Sequence, residues 1–261
     1  MKVGLIFSGG GARGFAHLGV LKALNELKIP IDELAGTSAG AITGAFYGYG
    51  YSPEETFEII SKTGFLKSVR PAWTWTGLLS LDGLKDVLFK HLPENDFSVL
   101  KTPLVIAATE IRLGKIVYFN SGELVPAIIA SSTIPTLFSP FSKDGQLFVD
   151  GGLMDNFPVR PLVGKCDVII GSHCNPVAEN FDAKNVKEVT ERSLNLAINA
   201  STQHSKSHCS VVIEPPALGK YSTFDLAKAR EIYDYGYKHT LSISKTIEDV
   251  FNDFEKMRHE F

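Results

Sequence analysis

A serine at the centre of a Gly-x-Ser-x-Gly segment is the first candidate for chemistry in this sequence. Residues 36–40 read Gly-Thr-Ser-Ala-Gly, and Ser38 is the central residue. Such a segment is typical of a sharp strand-to-helix turn in which the serine hydroxyl points out of the end of the sheet. Gly36 and Gly40 remove side chains where this turn brings backbone segments together. Because the motif is common by chance, its surroundings must decide whether Ser38 is a nucleophile.

A glycine-rich stretch at residues 8–14 has three functional interpretations. It reads Ser-Gly-Gly-Gly-Ala-Arg-Gly, so that Gly9, Gly11 and Gly14 satisfy Gly-x-Gly-x-x-Gly. A P-loop would need a lysine at the next position, where the sequence has phenylalanine, so this interpretation fails. A dinucleotide site would need an acidic residue at the end of the second strand, whereas Asp32 and Glu33 stand at its beginning. The third interpretation is an oxyanion hole built from backbone N–H groups and a helix N-terminus. A tight turn without function is the simplest alternative.

A serine nucleophile needs a base, and Asp150 is the best placed residue for that role. It ends a short apolar strand predicted at residues 147–149, and Gly151 and Gly152 follow it. The two glycines let another loop approach the carboxylate closely. We therefore expect Asp150 to act as the base if it lies within hydrogen-bond reach of Ser38.

The histidines are weaker candidates for the base. His173 follows a predicted strand and is the best of those after Asp150. His204 and His208 stand four residues apart on a predicted helix, a spacing that can bind zinc. Their Ser, Gln and Lys neighbours favour a solvated helical face instead. His17 lies one turn into the first predicted helix, where packing or capping is the expected role.

The elements that must position these residues alternate between apolar strands and helical patterns. The predicted strands are 3–7, 31–35, 104–109, 116–119, 147–149, 168–171 and 211–213. The predicted helices are 13–27, 39–49, 53–63, 81–91, 123–131, 187–207 and a C-terminal helix at about 223–257. This alternation predicts an α/β fold with a mostly parallel sheet and helices on both sides. We expect one domain over residues 1–261, with its ligand at the carboxyl ends of the strands.

Composition excludes some classes of partner. The 261 residues carry a net charge of −3, which argues against global electrostatic attraction to nucleic acid. Two stretches of nineteen residues, Leu34–Ser52 and Leu124–Ser142, contain no charge. Glycines and prolines interrupt them, so we expect a buried site there and not a membrane span. Three cysteines without a zinc spacing and the lack of a signal-peptide pattern favour the cytoplasm.

The three motifs at residues 9–14, 36–40 and 150–152 together resemble the patatin-like phospholipase family in their order and context. Flanking segments at 16–21, 130–135 and 155–159 add to the likeness, which runs from residue 3 to about residue 240. Ser8 departs from the pattern, because many members of the family have Asp there. The resemblance implies a three-layer α/β/α sandwich and no requirement for a histidine, metal or cofactor.

The same resemblance implies a serine lipid acyl hydrolase that works through an acyl-enzyme. Ser38 would be the nucleophile and Asp150 the base. The oxyanion hole would lie at Gly10 and Gly11, with Arg13 helping to hold that loop. The other motif glycines are Gly9, Gly14, Gly36, Gly40, Gly151 and Gly152. The implied substrates are phospholipids, lysophospholipids or other carboxylic esters.

One further segment bears on contact with lipid. Residues 65–79 hold aromatic and aliphatic side chains, Phe65, Leu66, Trp73, Trp75, Leu78 and Leu79, beside the cations Lys67 and Arg70. This segment would touch a membrane transiently, frame an acyl pocket or serve as a packed connection. The sequence also leaves open a nucleotide-binding protein, a catalytically silent relative and acyl transfer to an alcohol. Head group, chain length, positional selectivity and oligomeric state do not follow from it.

Overall fold

The computed structural model describes residues 1–62, 70–74, 77–177, 181–182 and 185–259. The strands are β1 (Val3–Phe7), β2 (Glu33–Thr37), β3 (Arg70–Thr74), β4 (Gly77–Ser80), β5 (Leu104–Glu110), β6 (Lys115–Phe119), β7 (Phe141–Lys143), β8 (Gln146–Asp150), β9 (Val168–Ser172) and β10 (Val211–Ile213). The helices are α1 (Phe15–Glu26), α2 (Ala39–Tyr49), α3 (Pro53–Lys62), α4 (Asp82–His91), α5 (Leu124–Ser132), α6 (Val186–Lys206), α7 (Ala229–Ser242) and α8 (Ser244–His259).

The central sheet has the strand order β10-β9-β1-β2-β5-β8-β7, and β6 pairs with β5. The first five strands of that order are parallel to one another, β6 and β8 run antiparallel to β5, and β7 runs antiparallel to β8. Alternate residues of β1 face opposite sides, with Leu5 in the larger core and Ile6 in a second one. The predicted α/β fold with a mostly parallel sheet is therefore confirmed.

The register of the strands brings the two main site candidates to one level of the sheet. Thr37, the last residue of β2, pairs with Ala107 of β5, so Ser38 follows at the level of Ala108. Asp150 ends the antiparallel strand β8 and pairs with that same Ala108. The antiparallel strand β8 therefore ends at the same edge of the sheet as the parallel strand β2.

Helix α2 approaches the backbone of neighbouring segments closely at two of its glycines. A Cβ at Gly40 would stand 2.4 Å from the carbonyl oxygen of Phe7, and one at Gly48 would stand 2.8 Å from that of Thr102. The repeat of glycine every four residues therefore provides close contact between helix and sheet. This contact fixes the helix that begins directly after Ser38.

The prediction of one C-terminal helix over about 223–257 is wrong. Residues 222–225 form a turn in which Asp225 accepts a hydrogen bond from the Ser222 N–H at 2.8 Å, and α7 begins only at residue 229. A break at Ile243 separates α7 from α8. Helix α7 packs on α1, whereas α8 contacts β9 and β10. One straight helix cannot make both contacts.

Part of the predicted lipid-facing segment lies outside the described residues, namely Phe65, Leu66, Lys67 and Trp75. The backbone of β3 and β4 forms an antiparallel pair over residues 70–74 and 77–80. No helix within the described ranges is both long enough and apolar enough to span a bilayer.

Candidate active site

Ser38 occupies a strained turn between β2 and α2. Its backbone has φ 55° and ψ −118°, a combination that costs a non-glycine residue free energy. A Cβ at Gly36 would stand 2.5 Å from the carbonyl oxygen of Gly40, which explains the glycines two residues before and after the serine. The Ser38 N–H donates to Ser131 Oγ at 2.8 Å, and that hydroxyl donates to the Ala107 carbonyl at 2.6 Å. These bonds hold the turn in place.

Asp150 is buried beside Ser38, and hydrogen bonds of its backbone N–H and carbonyl groups hold it in place. Its N–H donates to the Thr133 carbonyl at 2.8 Å, and its carbonyl accepts from Thr109 Oγ1 at 3.1 Å. Its carboxylate accepts a hydrogen bond from the Gly152 N–H at 2.7 Å. Burial raises the pKa of Asp150 to about 6, and the neighbouring Ser38 side chain and the Gly152 N–H oppose that rise.

The glycine loop presents backbone amides beside Ser38. Gly11 has φ +56°, and a Cβ there would stand 2.4 Å from the Thr223 carbonyl oxygen. The next amide, that of Ala12, donates to this carbonyl at 2.8 Å. Among the residues that the structure describes, the N–H groups of Gly10 and Gly11 have no acceptor. Both residues line a cavity that also contains Ser38.

A buried polar network holds the glycine loop from below. His17 Nε2 donates to the Ser8 carbonyl at 2.9 Å, so its Nδ1 accepts from Ser172 Oγ at 2.7 Å. Burial lowers the pKa of His17 to about 4, which keeps the ring neutral. Ser8 Oγ accepts from the Cys174 N–H at 3.1 Å, and the Asn175 amide donates to the Gly9 carbonyl. Serine therefore has a defined anchoring role at this position.

Arg13 connects the glycine loop to two other segments. Its guanidinium donates to Asn195 Oδ1 on α6 at 3.3 Å and to Thr223 Oγ1 at 3.0 Å. The side chain is buried, and it lines the same cavity as Ser38. This geometry suits a residue that holds the loop.

Two cavities meet at Ser38. The inner cavity has a volume of about 310 Å³, and its lining is largely apolar, with Leu18, Ile42, Ile60, Leu137 and Phe138 among its residues. The outer cavity has a volume of about 570 Å³ and contains Asp150 together with three asparagines, Asn156, Asn175 and Asn195. The second uncharged stretch contributes Ile134 and Leu137 to both.

The dinucleotide interpretation of the glycine loop does not fit the structure. Asp32 accepts a hydrogen bond from the Val3 N–H at 2.7 Å, and Glu33 pairs with Lys2 at 2.7 Å. These residues stand at the start of β1, whereas the glycine loop follows its end. The two acidic residues therefore lie at the opposite edge of the sheet from the loop.

His173, His204 and His208 line neither of the two cavities that contain Ser38. His173 is buried, and its Nδ1 bonds to Glu214 Oε1 at 2.7 Å. Lys206 pairs with the other oxygen of that carboxylate, Oε2, at 2.8 Å. Burial lowers the pKa of His173. His204 and His208 line a separate crevice together with Tyr118 and Asp155. Within the described part of the chain, no three His, Cys, Asp or Glu side chains are grouped so as to hold a metal ion.

Several residues that support the site were not candidates from the sequence. They are Ser131, Asn156, Cys174 and Asn175, all of which contact the serine turn, the acid turn or the glycine loop. Cys174 and Asn175 stand two and three residues after the carboxyl end of β9, at the sheet edge where ligand sites gather. That position was the available signal for them. Ser131 and Asn156 contact the site through partners that are far from them in the sequence, so no local pattern indicates those contacts.

A mostly parallel sheet with a serine turn at its carboxyl edge is a fold type that many serine hydrolases share. A family model described as patatin-like phospholipase matches residues 5–163. The chain therefore belongs to the patatin-like phospholipase family.

Relatives and solved structures agree with this membership. An uncharacterised NTE family protein of Mycobacterium tuberculosis is 33% identical over 165 residues, which cover 62% of this chain and 46% of that protein. Lysophospholipase NTE1 of Kluyveromyces lactis is 28% identical over 271 residues, which cover 91% of this chain and 19% of that protein. The chain thus spans less than half the length of these relatives. VipD from Legionella pneumophila has a TM-score of 0.55 at 15% identity, over 93% of this chain and 66% of its own, and shares the fold.

Proposed function

We propose that this protein is a serine lipid acyl hydrolase in which Ser38 is the nucleophile and Asp150 is the general base. The observation that carries the proposal is that the buried side chains of Ser38 and Asp150 stand beside each other in the wall of one cavity, at the point where the two cavities meet. With a pKa of about 6, Asp150 is ionised at neutral pH and able to accept the serine proton. A histidine is not needed for this arrangement.

The proposed reaction runs in two halves. Asp150 takes the proton of Ser38 as Oγ attacks the ester carbonyl, and the amides of Gly10 and Gly11 stabilise the oxyanion. Removing one such donor typically costs ~3–4 kcal/mol in related enzymes. The protonated Asp150 then gives its proton to the departing alcohol, which leaves an acyl-enzyme. Water, deprotonated by Asp150, attacks that ester, and Asp150 returns the proton to Ser38 Oγ as the carboxylic acid leaves.

The two cavities suggest how a lipid ester would lie. The apolar inner cavity suits an acyl chain, because burial of methylene groups is favourable by ~0.8 kcal/mol each. The outer cavity, with Arg13 and its asparagines, suits the alcohol and head group. Phospholipids and lysophospholipids are the proposed substrates, which the name of the yeast relative supports. An alcohol that entered the outer cavity in place of water would give acyl transfer.

Exposed apolar residues at the outer cavity support transient contact with a lipid surface. Leu153 and Leu194 line this cavity and are 49% and 46% exposed. Val186 and Val189 on α6 are also exposed. We place this contact at the inner face of the membrane, in the cytoplasm, in accord with three free cysteines. Residues 1–261 would act there as one hydrolase domain.

The lipid contact is tested by flotation with phosphatidylcholine liposomes. The double variant Leu153→Ser/Leu194→Ser should float less than the native chain. Leu113→Ser is the matched control, because Leu113 is 65% exposed on the turn between β5 and β6, away from both cavities. Equal flotation of all three proteins would contradict the proposed contact.

The dyad is tested by covalent labelling and by hydrolysis. A fluorophosphonate should label the native chain but not Ser38→Ala, and Asp150→Asn should label far more slowly. Ser201→Ala, on the exposed surface of α6, is the matched control and should behave like the native chain. Nitrophenyl esters of increasing chain length, a phospholipid and a lysophospholipid then define the substrate. Labelling that persists in Ser38→Ala would refute the proposal.

A further inference from the structure

Asn156 holds a buried amide without a partner at the edge of the catalytic centre. The residue is 4% exposed and lines the outer cavity together with Ser38 and Asp150. Its Nδ2 makes no hydrogen bond within the described residues. A buried donor without an acceptor is unusual in a folded protein, because its lost hydration is not replaced. A residue kept in this state beside a reaction centre calls for a functional explanation.

The side chain of Asn156 lies between the glycine loop and the acid turn. A Cβ at Gly9 would stand 2.4 Å from Asn156 Oδ1, and a Cβ at Gly152 would stand 2.8 Å from the same atom. Asp150 Oδ1 lies 3.0 Å from that position at Gly152, so both oxygens lie close to that one point. The Asn156 carbonyl also accepts from the Gly9 N–H at 3.1 Å, which fixes the main chain. Rotation of the terminal amide is the freedom left to this side chain.

That rotation has a chemical consequence for Asp150. The terminal torsion of asparagine is broad and nearly two-fold, so a half-turn exchanges Oδ1 and Nδ2 at little cost. With Nδ2 toward Asp150, the amide is a donor that suits an ionised carboxylate. With Oδ1 toward Asp150, the amide is an acceptor that suits the protonated acid. The reaction takes Asp150 through both states in each half.

Resting on the roles proposed for Ser38 and Asp150, we propose that Asn156 is a positioning residue whose amide pairs with the Asp150 carboxyl group in both of its protonation states. It donates through Nδ2 while the carboxylate is ionised and accepts through Oδ1 while the acid holds the proton from Ser38. The amide thereby keeps the acid turn and the glycine loop at a constant separation during the cycle. Neither aspartate nor alanine at position 156 can do this, since one lacks a donor at neutral pH and the other lacks both groups.

Two variants separate this role from simple space filling. Asn156→Asp keeps the shape of the side chain but replaces the donor with a negative charge, and Asn156→Ala removes the amide. Asn252→Ala, on the exposed side of α8, is the matched control. We expect kcat on a soluble nitrophenyl ester to fall about 10- to 100-fold in both site variants, as for loss of a hydrogen bond to a charged group. The control should keep the native rate.

The decisive measurement is the titration of Asp150 itself. Carbon-13 NMR of protein labelled at the Asp carboxyl carbons, with Asp150→Asn used for assignment, reports the pKa in each variant. Loss of the donor should raise this pKa by about one pH unit in Asn156→Ala, and the added charge should raise it further in Asn156→Asp. The apparent pKa on the acid side of the pH profile of kcat/KM should rise by the same amount as the pKa of Asp150. A space-filling role would lower the melting temperature and leave the titration unchanged.

The outcomes distinguish this proposal from the proposed function. An Asp150 titration unmoved in both variants would overturn the pairing, even if Ser38 is labelled and esters are hydrolysed. Absence of labelling and hydrolysis in the native chain would overturn the proposed function, while the NMR titration would still decide the pairing. If Asn156→Ala does not fold, the isosteric Asn156→Asp alone carries the test.

Discussion

Replacement of Asp150 by asparagine should stabilise the protein at neutral pH while it removes activity. Burial raises the pKa of Asp150 from 3.8 to about 6, so the folded state disfavours the ionised carboxylate. In the unfolded chain the same group ionises freely above pH 4. The folded protein therefore binds more protons than the unfolded one between those two values, and its free energy of unfolding falls as the pH rises through this window.

The size of the effect follows from the two pKa values. A difference of about two pH units, at 1.36 kcal/mol per unit, corresponds to ~3 kcal/mol of stability lost above pH 6. Asparagine resembles the protonated acid, since its Oδ1 can still accept from the Gly152 N–H and the Ser38 hydroxyl. Asp150→Asn should therefore match the native chain near pH 4 and exceed it by up to ~3 kcal/mol near pH 7.5.

Urea denaturation of both proteins between pH 4 and pH 8 measures this difference. Asp144→Asn is the control, because the Asp144 side chain is 80% exposed on the turn between β7 and β8 and should change stability little. The reasoning would be refuted by an Asp150→Asn variant that is less stable than the native chain at pH 7.5. A stability difference that does not vary with pH would refute it as well.

Four further predictions follow from the site. The kcat/KM of the native chain should rise with pH through about 6, as Asp150 ionises, and a profile that stays flat down to pH 4.5 would contradict this. Ser131→Ala removes the bond to the Ser38 N–H and the bond to Ala107, so kcat should fall about 10-fold and stability by ~1–2 kcal/mol, measured by kinetics and urea denaturation. Gly40→Ala places a Cβ 2.4 Å from the Phe7 carbonyl oxygen, and we expect a loss of ~2–3 kcal/mol in the same denaturation assay. Ile42→Trp fills part of the inner cavity, which should shift preference in the nitrophenyl ester series toward shorter chains, whereas an equal loss at every length would argue against the cavity as the acyl site.

Local patterns in the sequence predicted the serine turn and the helix behind it. Helix α2 runs from Ala39 to Tyr49, as the glycine spacing indicated, because glycine every four residues allows one particular close contact between helix and sheet. The α/β class followed from alternation of buried strands and helices. These features depend on neighbours in sequence, and a single sequence records them well.

Features that depend on distant partners were not predictable in the same way. The break at Ile243 reflects two different packing surfaces, on α1 and on β9–β10, although the apolar periodicity continues through it. The antiparallel direction of β8 has no signature in a run of three apolar residues. The contact between Ser8 and Cys174 joins residues 166 positions apart, and no local pattern indicates that these two residues meet.

The two uncharged stretches acquire a chemical meaning from the position of Asp150. The first forms β2, the serine turn and α2, and the second forms α5 and the segment up to Ser142 that walls the cavities. Within the described residues, burial and hydrogen bonds shift the pKa of Asp150, and no charged side chain contributes. A lysine or arginine in either stretch would lower that pKa and make Asp150 a weaker base. The absence of charge from these two segments therefore keeps the carboxylate basic enough to accept a proton from Ser38 near neutral pH.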